Sequence, residues 1–322
     1  MKKYFRSVFA AAVCSAVMLA GCSDKKAQTS DSGAENTAAA ATQAAQSGSS
    51  DSSRPQKTTE FTVIKSTDAG NSGDVKLEKG DTYAVITVKD YGTIKIKLYP
   101  DLAPYAVYNF TELAKKGTYN GRTFHRLIED FMIQGGSAGG NGSPGECIDG
   151  GTFKNYINTS LRHYYGALCY SANAAGDMSD GFYIVNNNKP QSDLSELYEK
   201  IAANYSAGAS QGEAILATLD PSMDQYQLYY DYYNGLTSYN AGAADAVAAL
   251  KDTVTDAVKS TYAEKGGVPS LDGRYTVFGQ TVEGFDVIDK ITAVEKTVGA
   301  DNAVSKPVTD IIIDKIEIFT ME

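Results

Sequence analysis

At 322 residues, with 43% hydrophobic side chains, the chain has room for one large domain or two modest ones and a sizeable core to bury. Its formal charge is −10, from 39 acidic residues against 29 basic ones. That balance argues against a nucleic-acid binder or a protein held on anionic headgroups by charge, because phosphate contacts need clustered Lys and Arg.

The first 21 residues read as a targeting segment and stay outside the fold. Lys2, Lys3 and Arg6 give a basic start, Phe9 to Leu19 an apolar run too short to span a bilayer, and Leu19-Ala20-Gly21-Cys22 follows. That tetrad resembles the bacterial lipobox, whose cysteine is lipidated and becomes the first mature residue. The resemblance implies a lipoprotein signal peptide at 1–21, acyl chains such as palmitate on Cys22, and an extracytoplasmic protein lipid-anchored to the cell membrane. Each buried methylene would contribute roughly 0.8 kcal/mol to that anchor. Losing Lys2, Lys3 and Arg6 takes the charge from −10 to −13. Cys147 and Cys169 are then the thiols left to the folded part, open to one disulfide in an oxidising compartment or to two free side chains.

Residues 22–60 are rich in Ser, Ala, Thr, Gln, Gly and Asp and read as a disordered tether. Phe61 to Leu77 carries scattered apolar residues between glycines, which suits either packing on the domain or a longer tether. Two strands then follow, Ala84–Val88 and Thr93–Leu98, the second alternating Ile94, Ile96 and Leu98 with Lys95 and Lys97. Pro104 opens a helix with Val107, Phe110 and Leu113 on one face and Gly117 at its end. Further strands are predicted at Phe124–Ile128, Met132–Gln134, Gly166–Tyr170, Phe182–Val185, Thr276–Phe278 and Ile311–Phe319. So many short strands with few helices predict a closed antiparallel barrel, which leaves no exposed edge.

Between 187 and 265 the texture is helical. Leu194, Leu197, Tyr198 and Ile201 share a face, with Asp193 as N-cap and Glu196 three residues on. Met223, Tyr226, Tyr230 and Tyr233 form a second amphipathic segment, and Val247, Leu250, Val254 and Val258 a third. The predicted organisation is a domain over 80–320 interrupted by a helical insertion at 187–265.

The chemistry concentrates in Phe124-His125-Arg126-Leu127-Ile128-Glu129-Asp130-Phe131-Met132-Ile133-Gln134-Gly135-Gly136, which sets one arginine among apolar side chains. A charge facing an apolar pocket is costly unless its fixed fan of donors is used. The alternative for Arg126 is a surface ion pair with Glu129 or Asp130. The glycine-rich loop through Gly142 lacks the Gly-Lys-Ser/Thr ending of a phosphate loop. His125 and His163, the two histidines, have no spacing to acids or thiols that suggests a metal.

Read with Leu98-Tyr99-Pro100-Asp101-Leu102-Ala103-Pro104, Asn109-Phe110, Tyr119-Asn120-Gly121, Gly166-Ala167-Leu168, Phe182-Tyr183-Ile184 and Leu271-Asp272-Gly273-Arg274-Tyr275-Thr276-Val277-Phe278-Gly279, the run closely resembles the cyclophilins, peptidyl-prolyl cis-trans isomerases. The motifs stand in the family's order from about Val85 to Phe319, the insertion set aside. The resemblance implies an eight-stranded cyclophilin-like barrel capped by helices and proline-containing polypeptide segments as substrates. No metal or cofactor is implied. It also implies Arg126 as the catalytic arginine and Gln134 as its hydrogen-bonding companion. Phe131, Met132, Tyr183, Leu271 and Tyr275 would line the proline pocket, with His125 beside them, and Ala172 would pair through its backbone with the residue before proline. Gly181 departs from the family's usual Gln. A binding module without useful turnover, using the Tyr-rich insertion as its partner surface, is the competing reading. Nothing in the sequence calls for more than a monomer.

Overall fold

The computed structural model describes residues 54–322; the signal peptide, Cys22 and most of the tether lie outside the described residues. Twelve strands are described: β1 Thr62–Ile64, β2 Thr82–Val88, β3 Gly92–Leu98, β4 Thr123–Ile128, β5 Phe131–Gly135, β6 Tyr156–Asn158, β7 Ala167–Ala172, β8 Met178–Asn186, β9 Val277–Glu283, β10 Lys296–Val298, β11 Val304–Pro307 and β12 Ile311–Thr320. The helices are α1 Pro104–Lys115, α2 Leu194–Leu216, α3 Tyr226–Asp252, α4 Asp256–Lys265 and α5 Phe285–Thr292, with a 3₁₀ turn at Pro269–Leu271.

Eight strands close an antiparallel barrel in the order β12-β2-β3-β9-β7-β8-β5-β4. Alternation decides which faces point inward. Ala84, Ile86, Val88, Ile94, Ile96 and Leu98 are buried, while Lys95 and Lys97 face out to Glu283 and Asp81 at 2.7 and 2.6 Å. Strand β8 is buried along its whole length, because the barrel covers one face and loops and helices the other. Helix α1 plugs one side through Phe110, whose ring lies edge-on to Phe182 at 5.6 Å and 5.4 Å from Tyr119.

The segment from Arg54 to Leu77 packs on the domain. Strand β1 pairs in parallel with β6, Thr58 accepts from the Lys154 amide, and the buried Asn71 side chain bonds both the amide and the carbonyl of Arg162. Residues 54–60, expected within the tether, thus already run along the barrel.

Helices α2, α3 and α4 lie between β8 and β9, with α2 against α3. Asp193 occupies the N-cap position of α2 but sits at φ +55° and its side chain makes no capping bond, which corrects the capping expectation. The run from Val247 to Val258 is not one helix. Thr253 turns its hydroxyl back onto the Ala249 and Leu250 carbonyls and ends α3, and Thr255 caps α4 by accepting from the Val258 amide. The Arg162 guanidinium completes the break, donating to the Leu250 and Thr253 carbonyls at 3.3 and 3.2 Å at the negative end of α3. Cys147 and Cys169 are both buried and free.

Candidate active site

Strands β4 and β5 form a hairpin turning at Glu129-Asp130, with Asp130 at φ +55°. The register sets Arg126 opposite Gln134, and Gln134 opposite Tyr183 on β8. Arg126 and Gln134 line a cleft of about 380 Å³ together with His125, Ala172, Gly181 and Asp301. Gly136, at φ +78°, lets the chain leave β5 over Phe182: a Cβ there would stand 2.5 Å from that ring.

Arg126 does not pair with Glu129 or Asp130. The turn carries both away from it, to Lys296 and Lys189 respectively. Its Nε instead donates to Asp301 Oδ2 at 2.7 Å, and its Nη1 lies 3.9 Å from Met132 Sδ. The two partners are 17% and 13% exposed, so this pair is largely withdrawn from water. Although burial alone would raise the Asp301 pKa, the bonds from Arg126 and Ser305 hold it below the ordinary carboxylate value. Gln134, expected to bond the arginine, makes no side-chain hydrogen bond among the described residues. The Arg126 Nε direction is already taken by Asp301.

The apolar residues expected around proline do not line that cleft but lie next to it in the barrel core. Met132, Tyr183 and Leu271 are buried within it, and Phe131 and Tyr275 pack half-buried against it. The Tyr183 ring stands edge-on to Tyr275 at 6.0 Å. A tyrosine here needs a partner for its hydroxyl, and His163 Nε2 supplies one at 2.9 Å. His163 Nδ1 and its backbone amide both meet Asp272 Oδ1 at 2.8 Å, while Tyr198 and Tyr262 donate to Oδ2 at 2.5 and 2.6 Å. An ionised carboxylate only accepts, so Nδ1 carries a proton toward Asp272 and Nε2 is the nitrogen that meets the Tyr183 hydroxyl. Tyr198 belongs to α2 and Tyr262 to α4, so these two helices between β8 and β9 are tied to Tyr183 of β8, through His163, by one buried carboxylate. This network and Asp301 are what sequence reasoning missed; the partners lie 10 to 175 positions apart.

The family described as cyclophilin type peptidyl-prolyl cis-trans isomerase/CLD matches residues 83–201 and 257–318. The chain belongs to this family. A protein of Staphylococcus saprophyticus assigned as a peptidyl-prolyl cis-trans isomerase is 34% identical over 242 residues, which are 74% of this chain and 93% of that one. One of Staphylococcus aureus with the same assignment is 30% identical over 235 residues, 73% of this chain and 90% of its own. A crystal structure of a Cryptosporidium parvum cyclophilin-type isomerase is similar at a TM-score of 0.47 and 20% identity, over 75% of this chain and 99% of that chain. Residues 202–256, most of α2 and α3, fall outside the family match.

Within this cyclophilin-type domain, Gly181 lacks a side chain and Ser171 stands against it: a Cβ on Gly181 would lie 2.6 Å from Ser171 Oγ. His125 lines the cleft with its ring nitrogens turned away from solvent, and neither has a hydrogen-bond partner among the described residues. Burial, aided by the neighbouring Arg126 charge, pushes its pKa down from 6.5 to about 4. The unfolded chain therefore binds a proton that the folded protein refuses. The stability contributed by a neutral His125 is complete above pH 6.5 and is lost as pH falls from 6.5 to about 4. The thermal midpoint of the natural protein should accordingly fall more steeply over that range than that of His125→Phe. Parallel pH profiles of the two proteins would sink the assignment.

Proposed function

We propose that this chain is a lipid-anchored prolyl isomerase, acting as a monomer, which assists folding of exported or surface proteins at the outer face of the cytoplasmic membrane. The observation that carries the catalytic part is the Arg126 guanidinium, pinned through Nε with its Nη1 beside Met132 and an apolar floor next to it. A prolyl bond resists rotation with a barrier of about 18–20 kcal/mol, because resonance ties up the nitrogen lone pair. Rotation frees that lone pair on a pyramidal nitrogen. A fixed donor aimed there binds the twisted state better than either planar isomer, and each 1.36 kcal/mol of that preference is about tenfold in rate.

Phe131 and Tyr275, half-buried beside the cleft, are then the surface on which the pyrrolidine ring rests, with Met132, Tyr183 and Leu271 packed behind them as its apolar backing, which excludes water from the nitrogen. Ala172 pairs with the peptide backbone before proline, Gln134 steadies the substrate across the cleft from it, and His125 backs the cleft wall. No bond to a heavy atom is made or broken, so neither a nucleophile nor an electron carrier enters the scheme.

The anchoring part rests on Leu19-Ala20-Gly21-Cys22 and the Ser- and Ala-rich stretch after it. The full chain should fractionate with membranes and Cys22→Ala should be released. Equal partitioning of both would remove the anchor from the account. A second reading, a module that holds proline segments, is favoured by the far end of α2 and α3, where Leu228 and Tyr232 are 63% and 51% exposed. In that reading, partner binding survives Arg126→Ala and there is no turnover to lose.

A further inference from the structure

Asp301 stands in the loop of the β10–β11 hairpin, 175 positions from Arg126, and that hairpin packs on β4, the strand that carries the arginine. Its carboxylate is held from both ends. Oδ1 accepts from the Ser305 hydroxyl at 2.8 Å and the Ala303 amide at 3.1 Å, while Oδ2 accepts from Arg126 Nε at 2.7 Å. The loop is itself closed, with the Gly299 amide on the Ala303 carbonyl at 2.8 Å and the Asn302 amide on the Gly299 carbonyl at 3.1 Å. Gly299 leaves the space this needs: a Cβ there would lie 2.6 Å from Ser305 Oγ and 2.9 Å from Asp301 Oδ1. Ser305 is buried, so the carboxylate rests on a fixed mount.

We infer that Asp301 is a positioning residue for Arg126: it fixes the guanidinium through Nε and leaves the Nη donors to face the prolyl nitrogen. This rests on the proposed role of Arg126. An arginine side chain is rich in rotamers, and one held at the required angle beforehand does not have to be ordered as the bond twists. A carboxylate at Nη would occupy the donors that the substrate uses; one at Nε restrains the plane of the fork and leaves its tips free. Gln134, across the strand pair, makes no such bond.

Asp301→Ala should lower kcat for an Ala-Pro peptide by about tenfold, the equivalent of ~1.4 kcal/mol, with KM changed by less than about twofold. Asp301→Asn, which keeps an oxygen acceptor without the charge, should recover most of that loss. In an Arg126→Ala background, Asp301→Ala should do nothing further, because the two act as a unit. An independent readout is the Arg126 Nε–H resonance, expected downfield and slow to exchange in the natural protein, and lost in Asp301→Ala. A silent Asp301→Ala, a rise in kcat that would make Asp301 a brake, or an equal loss in the Arg126→Ala background would overturn the inference. An inactive natural protein that still shows the shifted Nε–H would mean instead that the isomerase reading of Arg126 has failed while the Asp301 contact stands.

Discussion

Arg126→Ala is expected to lower kcat/KM for a short Ala-Pro peptide by about 10²–10³, the loss of ~3–4 kcal/mol typical of removing one preorganised donor from a developing charge. The fold should survive. Arg126 lines the cleft rather than the barrel core, and the partner it leaves behind, Asp301, keeps its bonds from Ser305 and Ala303. Thermal unfolding should therefore move little while turnover collapses. Arg126→Lys restores the charge but not the planar fork, and should recover only a small part of the rate. Binding of a proline peptide should weaken far less than turnover, because the apolar floor is untouched. An Arg126→Ala protein that turns over within a few-fold of the natural one would place the chemistry elsewhere.

The second large effect is on stability. Asp272→Ala should cost about 3–5 kcal/mol, the range for breaking a buried ionic network by deleting one partner. Asp272 is buried and accepts from the His163 amide and ring, Tyr198 and Tyr262. Burial alone would raise its pKa, but the bond from His163 and the nearby Arg162 keep the carboxyl below the ordinary value. Its contribution is thus present above the ordinary carboxylate pKa and is lost as pH falls through the depressed one. Deleting the carboxylate orphans four donors and removes a buried negative charge that favours the buried Arg162 guanidinium. For a domain of this size the thermal midpoint should drop by roughly 10 °C. Asp272→Asn, which keeps one acceptor, should lose less. The damage should also reach the pocket, since His163 then loses the bond that fixes its tautomer toward Tyr183. An unchanged melting profile for Asp272→Ala would contradict the network.

The barrel was legible from the alternation of β2 and β3 and from the motifs that carry the other strands. Each of its eight strands overlaps one predicted from period-two patterning or from a motif, and Pro104 and Gly117 bracketed α1 as their backbone preferences require. Three-residue pairings such as β1 with β6 were not legible, because a parallel contact between segments some ninety positions apart leaves no local pattern. The division of α3 from α4 depends on Thr253 and on Arg162, a residue from another part of the chain. In the site, the residue types around Arg126 were readable from one short run. Its partner was not: proximity in sequence favoured Glu129 or Asp130, whereas the hairpin turn sends those side chains to lysines and brings Asp301 in from the far end of the domain. Tyr183 in the pocket carried a latent signal, since a buried hydroxyl demands an acceptor and His163 is one of two histidines in the chain.

The most direct test of the central claim is exchange spectroscopy of a short Ala-Pro peptide at equilibrium with catalytic amounts of the protein beginning after Cys22. The account predicts a cis-trans exchange rate raised well above the uncatalysed one, whose time constant is tens to hundreds of seconds, with the cis:trans ratio of the free peptide unchanged. Binding seen as line broadening or shift changes, without faster exchange between the two isomers, would contradict it and make the domain a holder of proline segments.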